Sequence, residues 1–305
     1  GDFTLTAAGR IELQNRISAS TDLSVGTTAI DTNALALTNA SLTSTGKTTL
    51  AAAGGTRLAG SALVAGTDLA VSAASLLDTT SASGMANNNL RRAGGALSLA
   101  VGDGASLGAT HWSAAGAWNG TFGNLVTTGA TQLYSGNGTL IASADKGDLA
   151  LGLAALQSAG NMALSATGRI STAAGSGQGV QSLGGNLSLT AGNGISNVGM
   201  ASADKGAVTV RANGTINNSG QLHAAQNLDI ADQAGGASAN LSNSGTLLTE
   251  QVLVIQAATI ANTAAARIQA QTGSVVNAAR IDNAGTWLLS QQVGANDQLT
   301  VGGAL

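Results

Sequence analysis

One short phrase recurs between residues 195 and 285 and limits what this chain can fold into. It consists of an apolar residue, any residue, Asn, any residue and Gly, and it returns at intervals of about 19 to 25 residues. A repeat of this length is typical of a solenoid, a propeller or an array. The copies are Ile195/Asn197/Gly199, Ile216/Asn218/Gly220, Leu241/Asn243/Gly245, Ile260/Asn262/Ala264 (with Ala in place of Gly) and Ile281/Asn283/Gly285.

A second phrase of alternating apolar residues follows most of these Asn positions. Such alternation predicts a strand with one face inward and the other outward, and Gly after Asn offers the positive φ that a corner needs. A single coil cannot bury its own apolar row, so stacked coils are required. We therefore predict an all-β fold, a parallel β-helix (solenoid) with coils of roughly 20–25 residues, right-handed by the general rule for parallel crossovers. The alternating pairs include Val208/Val210, Leu228/Ile230 and Leu253/Ile255.

The Asn positions predict a structural row. Asn at the same place in successive coils can form a ladder of side-chain amides, a device of stacked parallel strands. We expect these side chains to point into a stacked corner and to have no binding role. The row comprises Asn197, Asn218, Asn243, Asn262 and Asn283.

The composition agrees with a narrow core. The 305 residues include 43 Gly, no Pro, no Cys and few aromatic residues, whereas a compact globular core normally uses more large side chains. Proline would remove ladder donors, and the lack of Cys excludes disulfides and thiolate metal sites. Only 9% of residues are charged and the net charge is −3, with no basic stripe, so nucleic acid is not expected as a partner.

The repeat is looser towards the amino terminus. Over residues 1–101, Leu13/Asn15 and Leu37/Asn39 resemble weaker copies of the Asn phrase, and residues 102–140 interrupt the rhythm with several turn signals. We predict a single β-helix domain over 1–305, a fragment of a longer repeat array, with a less regular, loop-rich segment at 102–140. The hexapeptide Ala142–Gly147 recurs unchanged at Ala201–Gly206 and indicates internal duplication.

The 102–140 segment is also the candidate recognition loop, because most of the aromatic residues lie in it. Exposed aromatic rings bury large areas at small entropic cost and are common platforms for sugars and protein partners. The alternative, which we prefer, is that the rings pack an irregular loop onto the side of the solenoid. The candidate residues are His111, Trp112, Trp118, Phe122 and Tyr134.

No catalytic, cofactor or metal site is expected from the titratable residues. The 15 acidic residues are thinly spread, and the close pairs Asp145/Asp148 and Asp229/Asp232 are interpreted as solvated corners. His111 and His223 have no partners at metal-ligand spacing and are expected at the surface. Gly102-Asp103-Gly104 and Gly192-Asn193-Gly194 are too isolated for a calcium-binding repeat, and Met162 and Met200 are expected in the core.

The phrase Gly-x-Ile-x-Asn-x-Gly-x-Leu followed by Asn-Leu-x-Ile, found at Gly214–Ile230, resembles the haemagglutinin repeats of filamentous haemagglutinin. Gly194–Val210 and Asn240–Ile255 carry related versions. Similar repeats occur in other two-partner secretion exoproteins, including contact-dependent growth-inhibition toxins. The resemblance implies a virulence-associated filament, secreted or on the cell surface of a Gram-negative bacterium and exported through an outer-membrane two-partner secretion transporter.

The expected function is therefore cell adhesion or toxin delivery, with attachment to a receptor or glycan on a host or neighbouring cell, rather than enzymatic activity. The main alternative is a glycan-processing enzyme, because β-helices also carry pectate lyases and polygalacturonases. Such enzymes need several carboxylates clustered on adjacent coils. Ice-binding and biofilm-matrix arrays stay open as further alternatives, although Thr48-Thr49 and Thr127-Thr128 form no regular row in the sequence.

Overall fold

The computed structural model describes residues 1–80, 89–172, 179–289, 291–293 and 299–301. They form two compact units, Gly1–Ala159 and Gly160–Leu305, called unit 1 and unit 2 below. In each unit, parallel strands stack coil upon coil, so the predicted all-β parallel solenoid is confirmed. The described residues include no helix with the length and hydrophobicity required to cross a bilayer.

The described residues of unit 1 form seventeen strands. In chain order they are β1 Phe3–Ala7, β2 Ile11–Ala19, β3 Leu23–Thr27, β4 Leu35–Ser44, β5 Thr48–Ala52, β6 Gly55–Ala59, β7 Ala62–Ala65, β8 Leu69–Thr79, β9 Leu90–Ala93, β10 Leu97–Gly108, β11 His111–Ala114, β12 Trp118–Phe122, β13 Leu125–Thr128, β14 Gln132–Ser135, β15 Leu140–Ala144, β16 Leu149–Leu151 and β17 Ala155–Ser158.

Unit 2 continues the numbering, and its last two strands pair antiparallel with each other. The strands are β18 Met162–Ala166, β19 Arg169–Thr172, β20 Gly179–Ser182, β21 Leu187–Ala191, β22 Gly194–Asn197, β23 Met200–Ala203, β24 Val208–Ala212, β25 Thr215–Asn218, β26 Gln221–Ala224, β27 Leu228–Ala231, β28 Asn240–Asn243, β29 Thr246–Thr249, β30 Val252–Asn262, β31 Arg267–Ala270, β32 Gly273–Asn283, β33 Thr286–Leu289, β34 Gln291–Val293 and β35 Leu299–Val301.

Each coil contributes three strand segments, which we assign in chain order to faces A, B and C of its unit. In unit 2, β21 pairs with β24 on face A, β22 with β25 on face B, and β23 with β26 on face C. The longest strands turn a corner and serve two faces; β8, for example, pairs with β5 through its first half and with β6 through its second.

The register gives the coil length directly. On face A of unit 1, Phe3 pairs with Leu23, 20 positions later, and Thr48 pairs with Leu69, 21 positions later. The longest described coil runs from Leu69 to its partner Leu97, 28 positions later. The predicted 20–25 residues therefore hold for most coils, and the exception contains an insertion.

The core consists of inward rows that run from coil to coil. The alternating apolar pairs identified in the sequence supply these rows, because residues two apart on a strand share a face. On face A of unit 2, the residues of these pairs are all buried as far as Ile255. Ser274 and Val276 occupy the same two rows in the next coil and are half-buried. The two rows read Met162, Leu187, Val208, Leu228, Leu253 and Leu164, Leu189, Val210, Ile230, Ile255.

The Asn row forms a hydrogen-bonded ladder at the corner between faces B and C of unit 2. Each Nδ2 donates to the Oδ1 of the next Asn at 2.7–2.8 Å, and the hydroxyl of Thr172 donates to the first Oδ1 at 2.7 Å. Four of the five side chains are at most 1% exposed. The exception is Asn283, which accepts from Asn262 in the same register and so belongs to the ladder, but is exposed.

The Gly that follows two residues after Asn does not supply positive φ, contrary to the expectation. Among the described residues, the glycines with positive φ are Gly60, Gly129, Gly179 and Gly235. At Gly220 a Cβ would collide with the carbonyl oxygens of Gly199 and Val198 in the previous coil, and at Gly245 with that of Gly220. The glycine is required because successive coils approach closely at this corner.

Unit 1 builds the same corner differently. Asn15 and Asn39, the apparent weaker copies of the phrase, are exposed and have φ of 65° and 51°; Gly60, Ala109 and Gly129 take that conformation in later coils. Asn tolerates this left-handed region better than most residues. These Asn residues therefore turn the backbone, whereas those of unit 2 fill the inside of the corner.

The duplicated hexapeptide does not mark a duplicated coil. In Ala142–Gly147 it ends a strand of face A and leads to β16 on face B, whereas in Ala201–Gly206 it ends a strand of face C and leads to β24 on face A. The six residues thus encode a strand end and a turn that fit two different corners.

We expect Asn218→Ala and Asn243→Ala each to lower the free energy of unfolding by about 1–3 kcal/mol, because each leaves buried amide and carbonyl partners unsatisfied. Asn217→Ala is the matched control, since Asn217 neighbours the ladder but is exposed. Thermal and denaturant melts of the three variants check this. Equal melting of Asn218→Ala and Asn217→Ala would contradict a stabilising ladder.

Candidate functional site

The predicted loop-rich segment 102–140 is instead made of regular coils. It contains the end of β10 and the whole of β11 to β14, each paired in parallel with strands of neighbouring coils. The turn signals in this segment mark the corners between faces. The idea of an irregular loop, whether for recognition or for packing, is therefore wrong.

Two of the five candidate residues, Trp118 and Phe122, lie inside the core of face A. Both are at most 1% exposed, and their ring centroids are 6.5 Å apart. Gly120 stands between them on the inward side of β12, where a Cβ would come within 2.8 Å of atoms of both rings. The preceding coil has Leu97, Leu99 and Val101 at these positions, so the missing side chain compensates for the two large rings.

Trp112 is also fully buried, in a polar cluster that the sequence analysis missed. Its Nε1 donates to Oδ2 of Asp78 at 2.8 Å, and the guanidinium of Arg91 lies 5.7 Å from the centroid of its ring. Arg91 Nη2 donates to Oδ1 of Asp78 at 2.6 Å, and its Nη1 donates to the carbonyl oxygen of Ser61. Both charged side chains are 0% exposed.

The electrostatics of this cluster are those of a buried pair. Burial raises the pKa of Asp78 above its ordinary value, and the charge and hydrogen bond of Arg91 and the hydrogen bond of Trp112 oppose that rise. A buried ion pair is costly to desolvate and needs good geometry and further hydrogen bonds to persist. Here the indole and a backbone carbonyl supply them.

His111 and Tyr134 are the two candidates that point outward. They lie on face C of unit 1, on the paired strands β11 and β14, where Tyr134 is the register partner of Ser113 and His111 that of Gln132. Tyr134 is 37% exposed, and partial burial lowers the pKa of His111. Arg92, the register partner of Ser113 on the other side, is exposed on the same face.

The two acidic pairs occupy different environments. Asp145 and Asp148 are exposed corner residues, as expected. Asp229 instead pairs with Arg211, Oδ1 to Nη1 at 3.1 Å. Asp232 folds the corner after β27 by accepting hydrogen bonds from Gly236 N and from Ser238 N and Oγ, which lower the pKa of Asp232 to about 2.

Face C of unit 2 places side chains of types used in catalysis next to each other. Nε2 of His223 lies 3.4 Å from Oε1 of Glu250. In the preceding coil, Ser202 is buried and its hydroxyl donates to Asp204 at 3.0 Å. Within the described parts of the chain, His, Cys, Asp and Glu residues form no group of three that could hold a metal ion.

The two methionines that were expected in the core, Met162 and Met200, differ in their surroundings. Met162 is buried as expected, but Met200 is 37% exposed on face C, so its assignment to the core is wrong. Met200 begins β23 in a register position whose next member is Gln221. That position faces outward, so the apolar character of methionine is a poor guide to its burial here.

We expect Trp118→Ala to lower the free energy of unfolding by roughly 3–5 kcal/mol, because it opens a cavity in the core of face A. Tyr134→Ala, the control on an exposed ring, should cost about 1 kcal/mol or less. Denaturant unfolding followed by circular dichroism measures both. A similar loss in the two variants would show that Tyr134 is also a packing residue.

Comparison with known proteins identifies no relative: no protein-family model, curated protein or solved structure matches this chain.

Proposed function

We propose that this chain is a repeat segment of a secreted bacterial surface filament that mediates attachment to host or neighbouring cells, as an adhesin or a toxin-delivery stalk. The observation that carries the proposal is the Asn ladder of unit 2. Each rung donates one hydrogen bond to the next coil and accepts one from the previous coil. Each coil therefore presents hydrogen-bonding groups that match those of the next coil, so that a filament can be lengthened by adding further coils.

The inward rows support the same role. Successive coils place Leu, Val and Ile at equivalent positions, so each new coil buries the apolar row of the coil before it. Stability then grows with the number of coils, and length is obtained by repetition. A spacer that must project from a cell surface needs this property, whereas an enzyme needs it only as a scaffold.

The surface offers two kinds of contact for a receptor or glycan. On face C of unit 1, Tyr134 presents an exposed ring and His111 and Arg92 present polar groups. Face A of the same unit presents small uncharged side chains in successive coils, such as Thr4, Ser24 and Thr49 in one register column. Such surfaces favour hydroxyl-bearing or neutral partners over nucleic acid, whose binding depends on dense positive charge.

No particular observation favours the alternative of a glycan-processing enzyme. A glycosidase needs two carboxyl groups that flank one bond of the substrate. On face C of unit 2, Glu250 faces His223, while Asp204 accepts hydrogen bonds from Ser202 and from Gln181 at 2.7 Å. These carboxylates are engaged by neighbouring side chains rather than aimed together at a common point.

Export to the cell surface through an outer-membrane two-partner secretion transporter is part of the proposal. Antibodies raised against the purified chain should label intact, non-permeabilised Gram-negative cells that produce the full-length protein, and proteinase K should remove the signal. A periplasmic protein that stays protected is the control. Labelling only after permeabilisation would contradict a surface location.

Attachment is tested with the purified chain coated on beads. The beads should adhere to epithelial or bacterial cells more than albumin-coated beads do, and the chain should release no reducing ends from a panel of polysaccharides. The double variant His111→Ala/Tyr134→Ala should reduce adhesion if face C of unit 1 is the contact surface, with Asn217→Ala as an exposed control elsewhere. Release of reducing ends without adhesion would favour the enzyme.

A further inference from the structure

The Asp78–Arg91 pair occupies core positions that are apolar in the adjoining coils. On face B, Asp78 has Leu58 and Leu107 as register partners in the previous and next coils. On face C, Arg91 has Leu63 and Trp112. One coil of unit 1 therefore carries opposite charges in two inward rows that hold large apolar residues in the coils directly before and after it.

The hydrophobic pattern of the same two strands is inverted. Leu77 immediately precedes Asp78 and points outward with 42% of its surface exposed, and Leu90 immediately precedes Arg91 and is half-buried on the outer side. Because side chains alternate between the faces of a strand, moving a strand by one residue exchanges its inner and outer sets. With Leu90 inside, β9 would bury its larger apolar residue together with Arg92, whereas in the structure it buries Ala93 together with Arg91.

Chain length does not fix the register of β9. In the previous coil the inward residues Leu58 and Leu63 are 5 positions apart, and in the next coil Leu107 and Trp112 are also 5 positions apart. Asp78 and Arg91 are 13 positions apart. The connection between Asp78 and Arg91 is therefore eight residues longer than its counterparts in the adjoining coils.

We propose that the Asp78–Arg91 pair is a register lock: a buried ion pair that selects the register of β9 with Arg91 and Ala93 inside over the one with Leu90 and residue 92 inside. An apolar contact is non-directional and would accept Leu90 in the core. The pair is directional, because the carboxylate accepts Arg91 on one oxygen and the Trp112 indole on the other. Fixing register is the best-attested use of a buried polar pair.

The competing register has a definite structure. Moving β9 by one residue would bring Leu90 to the position of Arg91, release Arg91 to the exposed position of Arg92, and carry Arg92 into the buried position of Ala93. Without Asp78, the observed register leaves the Arg91 guanidinium buried without its counter-charge, which is strongly unfavourable. With Arg92 present, the shifted register would bury the Arg92 guanidinium instead, but with Cys at position 92 it buries no charge.

The absence of Cys from the chain makes this testable with one introduced thiol. In Arg92→Cys the thiol should react quickly with a thiol reagent, because position 92 is exposed. In Asp78→Leu/Arg92→Cys it should react at least tenfold more slowly, because the shifted register buries position 92. Ser113→Cys, at the paired outward position of the next coil, should react at the same rate with Asp78 or Leu at position 78.

Two further variants separate a register shift from local opening. Adding Leu90→Ser to Asp78→Leu/Arg92→Cys removes the apolar residue that moves inward and should restore fast labelling. If the Asp78→Leu variant does not fold, Asp78→Asn can replace it, because Asn keeps the shape of the side chain and removes its charge. Thiol labelling at position 92 should then also be slower than with Asp78 present. If the thiol at position 92 reacts as fast in the Asp78 variants as it does with Asp78 present, the register lock is overturned.

Discussion

The parallel hydrogen-bond ladder between successive coils is the constraint on which the rest of this structure depends. It holds equivalent residues of neighbouring coils roughly 4.8 Å apart, so every position belongs to a column that runs through its unit. An inward column must be filled by side chains that fit above one another at that spacing. Leu, Val, Ile and Ala satisfy this requirement, which explains a composition rich in small and medium residues and poor in aromatic ones.

The ladder is interrupted at the corners, where backbone N–H and C=O groups turn away from the neighbouring coil. These groups need other hydrogen-bond partners. Unit 2 uses the Asn side chain: Nδ2 of Asn218 reaches the Oδ1 of Asn243 and the carbonyl oxygens of Gly220 and Thr246. Unit 1 uses a left-handed backbone residue, which at Gly60 is followed by a buried hydroxyl. There the Ser61 hydroxyl accepts from Ala40 N and donates to the carbonyl oxygen of Ala59.

Large or charged side chains enter the columns only where a neighbour compensates for them. Trp118 and Phe122 fit because Gly120 lies between them. Arg91 fits because Asp78 replaces a leucine in the adjacent row and because Trp112 provides both an indole donor and a ring surface. The compensation is local to one or two coils, so the columns above and below keep their ordinary apolar residues. Such coils give a repetitive fold its individual features.

The period, the strand phrases and the Asn row could all be predicted from the amino-acid sequence, because each depends on residues that recur at fixed spacing along the chain. The sequence did not determine the paths of exceptional residues. Asn15 and Asn218 occur in similar phrases, yet one turns the backbone and the other fills the corner. Trp112 and Tyr134 lie in the same segment, yet one is buried and the other exposed. Asp78 and Arg91 sit beside leucines that the apolar pattern would place inside. Only the tertiary structure decided these cases, because the choice depends on the register partner in the next coil, about 20 residues away in sequence.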